Sequence, residues 1–134
     1  MTADTSAVVA ALSGWHDQHD AAAEALDGVA ALPAHVLLET YSVLTRLPGG
    51  LAVPATVAAD VLVERFPGKP LRLADEDRVA LPAALARAGV AGGASYDGVV
   101  ALEAAAHSQT LLTLDQRAQD AYRRLGAAFA VIRD

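Results

Sequence analysis

Short apolar runs alternate with longer amphipathic stretches along this 134-residue chain, and the alternation limits what the chain can fold into. Apolar runs of about four residues suit buried strands, whereas longer stretches with apolar positions every three or four residues suit helices. Strands that alternate with helices indicate a parallel sheet covered by helices on both faces. The sequence therefore predicts an α/β protein, a three-layer α/β/α sandwich with a short, mostly parallel sheet, in one domain over residues 1–134.

Prolines, glycines and helix-capping residues mark the ends of these segments. Strands are predicted at residues 1–3, 29–32, 71–73, 111–114 and 129–132. Helices are predicted at residues 7–12, 16–26, 34–47, 55–66, 75–88, 96–107 and 115–126. Each predicted strand except the last is followed directly by a helix, as crossover connections between parallel strands require.

Charge and composition exclude several classes of function. The chain has 10 basic and 16 acidic residues, a formal charge of −6, so contact with a nucleic acid has to be local rather than spread over the surface. Cysteine is absent, which removes disulfides, thiolate nucleophiles and cysteine-ligated zinc sites. No basic segment precedes an apolar one at the N-terminus, and no apolar run reaches the ~18 residues of a membrane span. We expect a cytoplasmic protein with no membrane contact.

Four acidic residues are candidates for a site, and two of them occur where ligands of parallel α/β proteins bind, beyond the carboxyl ends of strands. Asp4 follows the first predicted strand, Asp115 follows the strand at 111–114, Asp97 lies in a helical first turn, and Glu39 lies at the rim of an apolar helix face. Each has a structural explanation too. Asp4 and Asp115 suit helix N-caps, Asp97 complements a helix dipole, and Glu39 can be a solvated edge residue.

Carboxylates that gather without a partner repel one another, so a real cluster of these acids implies a counter-charge. The only lysine, Lys69, is remote in sequence, and no set of cysteines or histidines offers a soft-metal site. Hard oxygen ligands suit Mg²⁺ or Mn²⁺, and such an ion can bind phosphate oxygens and activate a water molecule. A phosphodiester is the substrate that this chemistry favours.

Four motifs in a fixed order carry a resemblance to a known family. They are Asp4-Thr5-Ser6, Glu39 in a helix after Pro33, Tyr96-Asp97, and Leu112-Thr113-Leu114-Asp115. In this order and spacing they resemble a PIN-domain ribonuclease of the VapC type, the toxin of bacterial toxin–antitoxin pairs. The similarity extends over nearly the whole chain.

The resemblance implies a Mg²⁺- or Mn²⁺-dependent endoribonuclease with Asp4, Glu39, Asp97 and Asp115 as its catalytic acids. It implies Asp4, Asp97 and Asp115 as metal ligands and Glu39 as the residue that orients metal or water. Ser6 and Thr113 match polar positions that support such sites. An RNA substrate, a homodimer and a cognate antitoxin are also implied.

The negative charge is unusual for an enzyme that acts on RNA, so a few arginines are candidates for phosphate contacts: Arg46, Arg117, Arg123 and Arg124. Apolar residues around Leu26 and at 57–63 indicate either buried core or a surface for a second copy or an antitoxin. Two other functions remain open. The fold can serve as a non-catalytic binding subunit, or Asp75-Glu76-Asp77 can belong to an aspartate-nucleophile phosphatase.

Overall fold

Three short parallel strands form one sheet in the order β1, β2, β3: β1 (Thr2–Ala3), β2 (Leu111–Thr113) and β3 (Phe129–Val131). The computed structural model describes residues 1–134. Eight helices surround the sheet: α1 (Thr5–Leu12), α2 (His19–Ala25), α3 (Ala34–Thr45), α4 (Ala55–Arg65), α5 (Asp75–Val79), α6 (Leu81–Arg87), α7 (Ala94–Ala106) and α8 (Ala118–Arg124). The architecture is the predicted three-layer α/β/α sandwich.

The central strands are buried along their whole length, as expected for a parallel sheet covered on both faces. Ala3 pairs with Leu112, and Leu112 pairs in turn with Ala130. Every residue of β1 and β2 is buried, including two threonines. The Thr2 hydroxyl donates to the Ala31 carbonyl at 2.8 Å, so its burial leaves no polar group unpaired.

Two of the five predicted strands were wrong. Residues 29–32 and 71–73 form no strand and meet only through an isolated parallel bridge between Pro33 and Leu71. Leu71 donates to the Leu32 carbonyl, and Ala34 donates to the Leu71 carbonyl, both at 2.9 Å. Helix α3 begins at Ala34, directly after the bridge, so the backbone leaves the extended conformation and the ladder does not continue. The predicted strands at 1–3, 111–114 and 129–132 are confirmed within one residue at each end.

The predicted helix over 75–88 is two helices that meet at Ala80. Pro82 lies in the first turn of α6, where its missing amide costs no helical hydrogen bond, whereas one continuous helix would need that amide. The helix predicted from residue 96 begins at Ala94, and Ser95 does not cap it. The last helix begins at Ala118 rather than at Asp115. Helix α2 begins three residues later than predicted, at His19.

One large core cluster joins the sheet to its helices. Helix α1 contacts β2, α2 and α3, and α7 contacts α3, α6 and α8. Leu26 is fully buried in this core, so it is a core residue and not part of a surface for a partner. None of the helices combines the length and the apolar character needed to cross a membrane.

Candidate active site

The carboxyl ends of β1 and β2 bring the predicted acids together. Asp4 directly follows β1, and its amide donates to the Leu112 carbonyl of β2 at 3.0 Å. Asp115 lies two residues beyond the end of β2. A cavity of about 20 Å³ opens between them, large enough for one water-sized species. We call it the acid pocket; its lining is Asp4, Thr5, Ser6, Glu39, Asp97, Val100, Asp115 and Tyr122.

Asp4 is the most buried of the four acids, at 4% exposure. Its Oδ1 accepts from the Ser6 hydroxyl at 2.6 Å and from the Ala7 amide at 3.2 Å. Its Oδ2 accepts from the Tyr122 hydroxyl at 2.8 Å. Burial raises the pKa of Asp4, and these hydrogen bonds partly oppose that rise. Asp4 is therefore both the N-cap of α1 and part of the acid pocket.

Asp97 is the acid whose ionisation the others disturb most clearly. It lies in the first turn of α7. Burial, followed by the charges of Asp115, Glu39 and Asp4, raises the pKa of Asp97 to about 6. No lysine, arginine or histidine lines the acid pocket. Carboxylates are thus crowded there without a protein cation to balance them.

In both Asp115 and Glu39, one carboxylate oxygen accepts a hydrogen bond and the other makes none. Asp115 Oδ1 accepts from the amides of Arg117 and Ala118, at 2.9 and 3.3 Å, and so caps the approach to α8. Glu39 Oε1 accepts from the Thr5 hydroxyl. Glu39 Oε2 lies 4.0 Å from His35 Nε2. Asp115 Oδ2 makes no hydrogen bond within the chain and borders the acid pocket.

Ser6 and Thr113, the two polar residues predicted beside the acids, make hydrogen bonds at the site. The Ser6 hydroxyl donates to Asp4 and accepts from the Leu114 amide at 2.9 Å, which ties α1 to the end of β2. Thr113 Oγ1 accepts from the Asp115 amide at 3.0 Å, and a hydrogen bond from Thr113 helps to lower the pKa of Asp4. Two polar side chains therefore fix the positions of two acids.

The four acids share one cavity, but no three carboxylate or imidazole side chains stand in an arrangement that would by itself hold a metal ion. Asp4 uses both of its oxygens in hydrogen bonds. The donor atoms at the pocket are all hard oxygens, the type that Mg²⁺ prefers, and Mg²⁺ is commonly bound by only one or two carboxylates with water completing its shell. The chemistry of the donor set fits such an ion.

The acid pocket opens into a larger cleft of about 1110 Å³, which Thr5, Ser6, Glu39, Asp97 and Asp115 also line. Arg46 and Arg117, two of the four arginines predicted to contact phosphates, line this outer cleft. Arg123 and Arg124 do not line it. Arg123 lies over the Phe129 ring, and Arg124 pairs with Asp120 at 2.8 Å.

Two site residues escaped sequence reasoning. Arg133 lines the outer cleft, but no motif surrounds it, and its position depends on where β3 ends. Tyr122 holds Asp4 from a distance of 118 residues along the chain. One signal could have found Tyr122, since a tyrosine on the apolar face of a helix needs a polar partner for its hydroxyl.

The fold and the site define a class: a small three-layer α/β/α domain that gathers four carboxylates at the carboxyl edge of a parallel sheet. The family model described as PIN domain matches residues 1–124. The chain belongs to the PIN-domain family, and within it to the VapC type, as its motifs indicated.

Curated relatives cover almost the whole chain. Ribonuclease VapC27 of Mycobacterium tuberculosis strain H37Rv is 43% identical over 132 residues, which are 98% of this chain and 96% of the relative. Ribonuclease VapC40 of M. tuberculosis strain CDC 1551 is 40% identical over 122 residues, which are 91% of each chain. The match to the family model, over residues 1–124, includes every element that contributes an acid to the pocket.

Replacing Tyr122 with phenylalanine should destabilise the protein by about 1 to 3 kcal/mol, because the buried Asp4 carboxylate loses the hydrogen bond that Tyr122 donates to its Oδ2. Urea unfolding followed by circular dichroism measures the change. Tyr41→Phe is the matched control, since the Tyr41 hydroxyl makes no hydrogen bond within the chain. Equal stability of Tyr122→Phe and wild type would show that this hydrogen bond does not support Asp4.

Replacing Asp97 with asparagine should stabilise the protein in metal-free buffer. With a pKa of about 6 in the folded state and 3.8 as its ordinary value, Asp97 binds more protons when folded, so wild-type stability falls as pH rises between these values. The asparagine variant escapes this loss, and its advantage should be complete above pH 6, at about 1 to 2 kcal/mol after allowance for solvent screening.

Urea unfolding from pH 4 to 8 in the presence of a chelator tests this expectation. Asp60→Asn, which changes an exposed acid of α4, is the control and should leave the pH dependence as in wild type. An Asp97→Asn variant that is less stable than wild type at pH 7.5 would show that the acids of the pocket do not repel one another.

Proposed function

We propose that this protein is a divalent-cation-dependent endoribonuclease that hydrolyses RNA phosphodiester bonds in the cytoplasm, as the toxin of a toxin–antitoxin pair. The observation that carries the proposal is the acid pocket: four carboxylates line one cavity that no basic side chain enters. The names of the curated relatives, both ribonucleases of the VapC type, support RNA as the substrate.

A cation is the partner that the pocket requires. Burial and, after it, the charges of three neighbouring acids raise the pKa of Asp97, and a bound Mg²⁺ or Mn²⁺ would stabilise its charged form. Asp97 and Asp115 are the ligands we favour, because both border the pocket and Asp115 keeps one oxygen free of hydrogen bonds. Asp4 is the third, at the buried side. An ion that keeps several water ligands does not need a preformed set of three carboxylates.

A bound divalent ion supplies Lewis-acid polarisation of the phosphodiester and a lowered pKa for a water molecule. The side chains of the protein would position the attacking water and the RNA phosphates. Thr5 holds Glu39 by one oxygen, which leaves the other to accept a hydrogen bond from the attacking water. Arg46, Arg117 and Arg133 line the outer cleft, where guanidinium groups can bind phosphates on either side of the scissile bond. These local cations resolve the conflict between a net charge of −6 and a polyanionic substrate.

A non-catalytic binding subunit is the second candidate. Asp4 caps α1, Asp115 accepts hydrogen bonds from two backbone amides before α8, and no three acids form a ready metal site, which is what a purely structural role would give. The phosphatase alternative has less support. Asp75, Glu76 and Asp77 lie on α5, which has no buried residue, and the strand expected before them is absent.

The toxin assignment implies protein partners. Val57 and Val63 of α4 remain 48% and 72% exposed, and Leu38 of α3 remains 66% exposed. Exposed aliphatic side chains on neighbouring helices are unfavourable in water and suit an interface. We infer that these residues are covered in the assembled toxin, where a second copy and the antitoxin are the expected partners.

The purified protein should cleave single-stranded RNA of mixed sequence only when Mg²⁺ or Mn²⁺ is present. Asp97→Asn and Asp115→Asn should each lower the rate by about 100-fold or more, because both remove a ligand charge from the pocket. Gel analysis of labelled RNA measures the rate, and growth on induction reports toxicity in cells.

Asp75→Asn is the matched control and should cleave like wild type, because Asp75 is an exposed acid outside the pocket. Full cleavage in chelator, or by both pocket variants, would exclude the proposed mechanism. Absence of cleavage together with absence of Mn²⁺ binding in calorimetry would establish the binding-subunit alternative.

A further inference from the structure

A fifth carboxyl group, that of Glu103 in α7, is fully buried outside the acid pocket. Its Oε1 accepts from the His35 amide at 3.0 Å, and its Oε2 has no hydrogen-bond partner. Burial raises the pKa of this carboxyl group, which a hydrogen bond from His35 partly opposes. Burying a carboxyl group with one oxygen unpaired is unfavourable. The amide of His35 gives Glu103 its only hydrogen bond, and the charges of Arg78 and Arg72 act on it from a longer distance.

The start of α3 needs an acceptor of this kind. The first amides of a helix have no partner within the helix, and a side chain at the N-cap usually supplies one. The N-cap of α3 is Pro33, which makes no such hydrogen bond. Glu103 replaces it from another helix, 68 residues away along the chain.

This tertiary cap joins the two helices that carry half of the catalytic acids. Glu39 lies one turn beyond His35 on α3, and Asp97 lies in the first turn of α7. The His35 ring stacks on Tyr96, the neighbour of Asp97, with centroids 5.5 Å apart and an angle of 12° between the rings. His35 Nε2 is also 4.0 Å from Glu39 Oε2. His35 thus contacts both sides of the gap between α3 and α7.

We propose that Glu103 is a positioning residue, whose buried carboxyl group holds the first turn of α3 against α7 and so sets the separation of Glu39 and Asp97 across the acid pocket. The inference rests on the proposed function in one respect, since it treats that pocket as the active site. This positioning role depends on the distance that the Glu103 side chain spans to the His35 amide, and it does not depend on the negative charge of Glu103.

Two substitutions separate reach from charge. Glu103→Gln keeps the acceptor oxygen at the same distance and removes the charge. Glu103→Asp keeps the charge and withdraws the oxygen by one carbon–carbon bond, about 1.5 Å. Glu64→Asp, the same exchange at an exposed position on α4, is the control.

Hydrogen exchange of the His35 amide gives a readout that needs no enzymatic activity. We expect Glu103→Asp to accelerate this exchange about tenfold or more relative to exchange at the centre of α7, whereas Glu103→Gln and Glu64→Asp should match wild type. The same order should hold for RNA cleavage in Mn²⁺: about a tenfold loss of kcat with little change in KM for Glu103→Asp, and near wild-type values for Glu103→Gln.

Different failures identify different errors. If Glu103→Asp leaves both the His35 amide and kcat unchanged, or if Glu103→Gln and Glu103→Asp are equally impaired, the positioning role is wrong. If His35 exchange accelerates while kcat is unchanged, Glu103 is only a helix cap, and the inference is also overturned. If wild type cleaves no RNA in any cation, the proposed function fails instead, and with it the assignment of an active site for Glu103 to position.

Discussion

Repulsion among four carboxylates in one small cavity is the constraint on which the rest of the structure depends. The charges of Asp115, Glu39 and Asp4 add to burial in raising the pKa of Asp97, and no basic side chain reaches the pocket to oppose them. A protein under no functional demand would avoid this arrangement, because uncompensated carboxylates destabilise the folded state. The fold therefore has to hold the acids in place against their mutual repulsion.

The local structure meets this demand by giving the acids second roles. Asp4 caps α1 and Asp115 caps the approach to α8, so each acid that adds charge to the pocket also satisfies backbone amides. Helices α1 and α7 both begin at the pocket, where their N-terminal partial positive charges favour carboxylates. Tyr122 and Ser6 complete the environment of Asp4. Capping and catalysis, which compete as explanations in the sequence, are compatible in the structure.

The sequence predicted the parts of this design that depend on local pattern. The alternation of apolar runs and amphipathic helices indicated the architecture. Positions after strands indicated Asp4 and Asp115, and positions on helices indicated Asp97 and Glu39, which share the pocket with them. The sequence did not predict which distant segments contact one another. Residues 29–32 and 71–73 have strand composition, but helices begin at Ala34 and Asp75, shortly after them, and the two segments meet at one bridge only. The approach of Tyr122 to Asp4 and of Glu103 to His35 depends on how helices pack, and no local signal specifies it.

The roles of the arginines also depend on long-range packing. Arg124 forms an ion pair with Asp120 on its own helix, whereas Arg133 lines the outer cleft.

Binding of a divalent cation in the acid pocket can be tested by anomalous diffraction from crystals of the wild-type protein soaked in Mn²⁺. We expect one strong anomalous peak from manganese within coordination distance of Asp97 and Asp115. A peak elsewhere on the protein, with the acid pocket empty of manganese at saturating concentration, would contradict it.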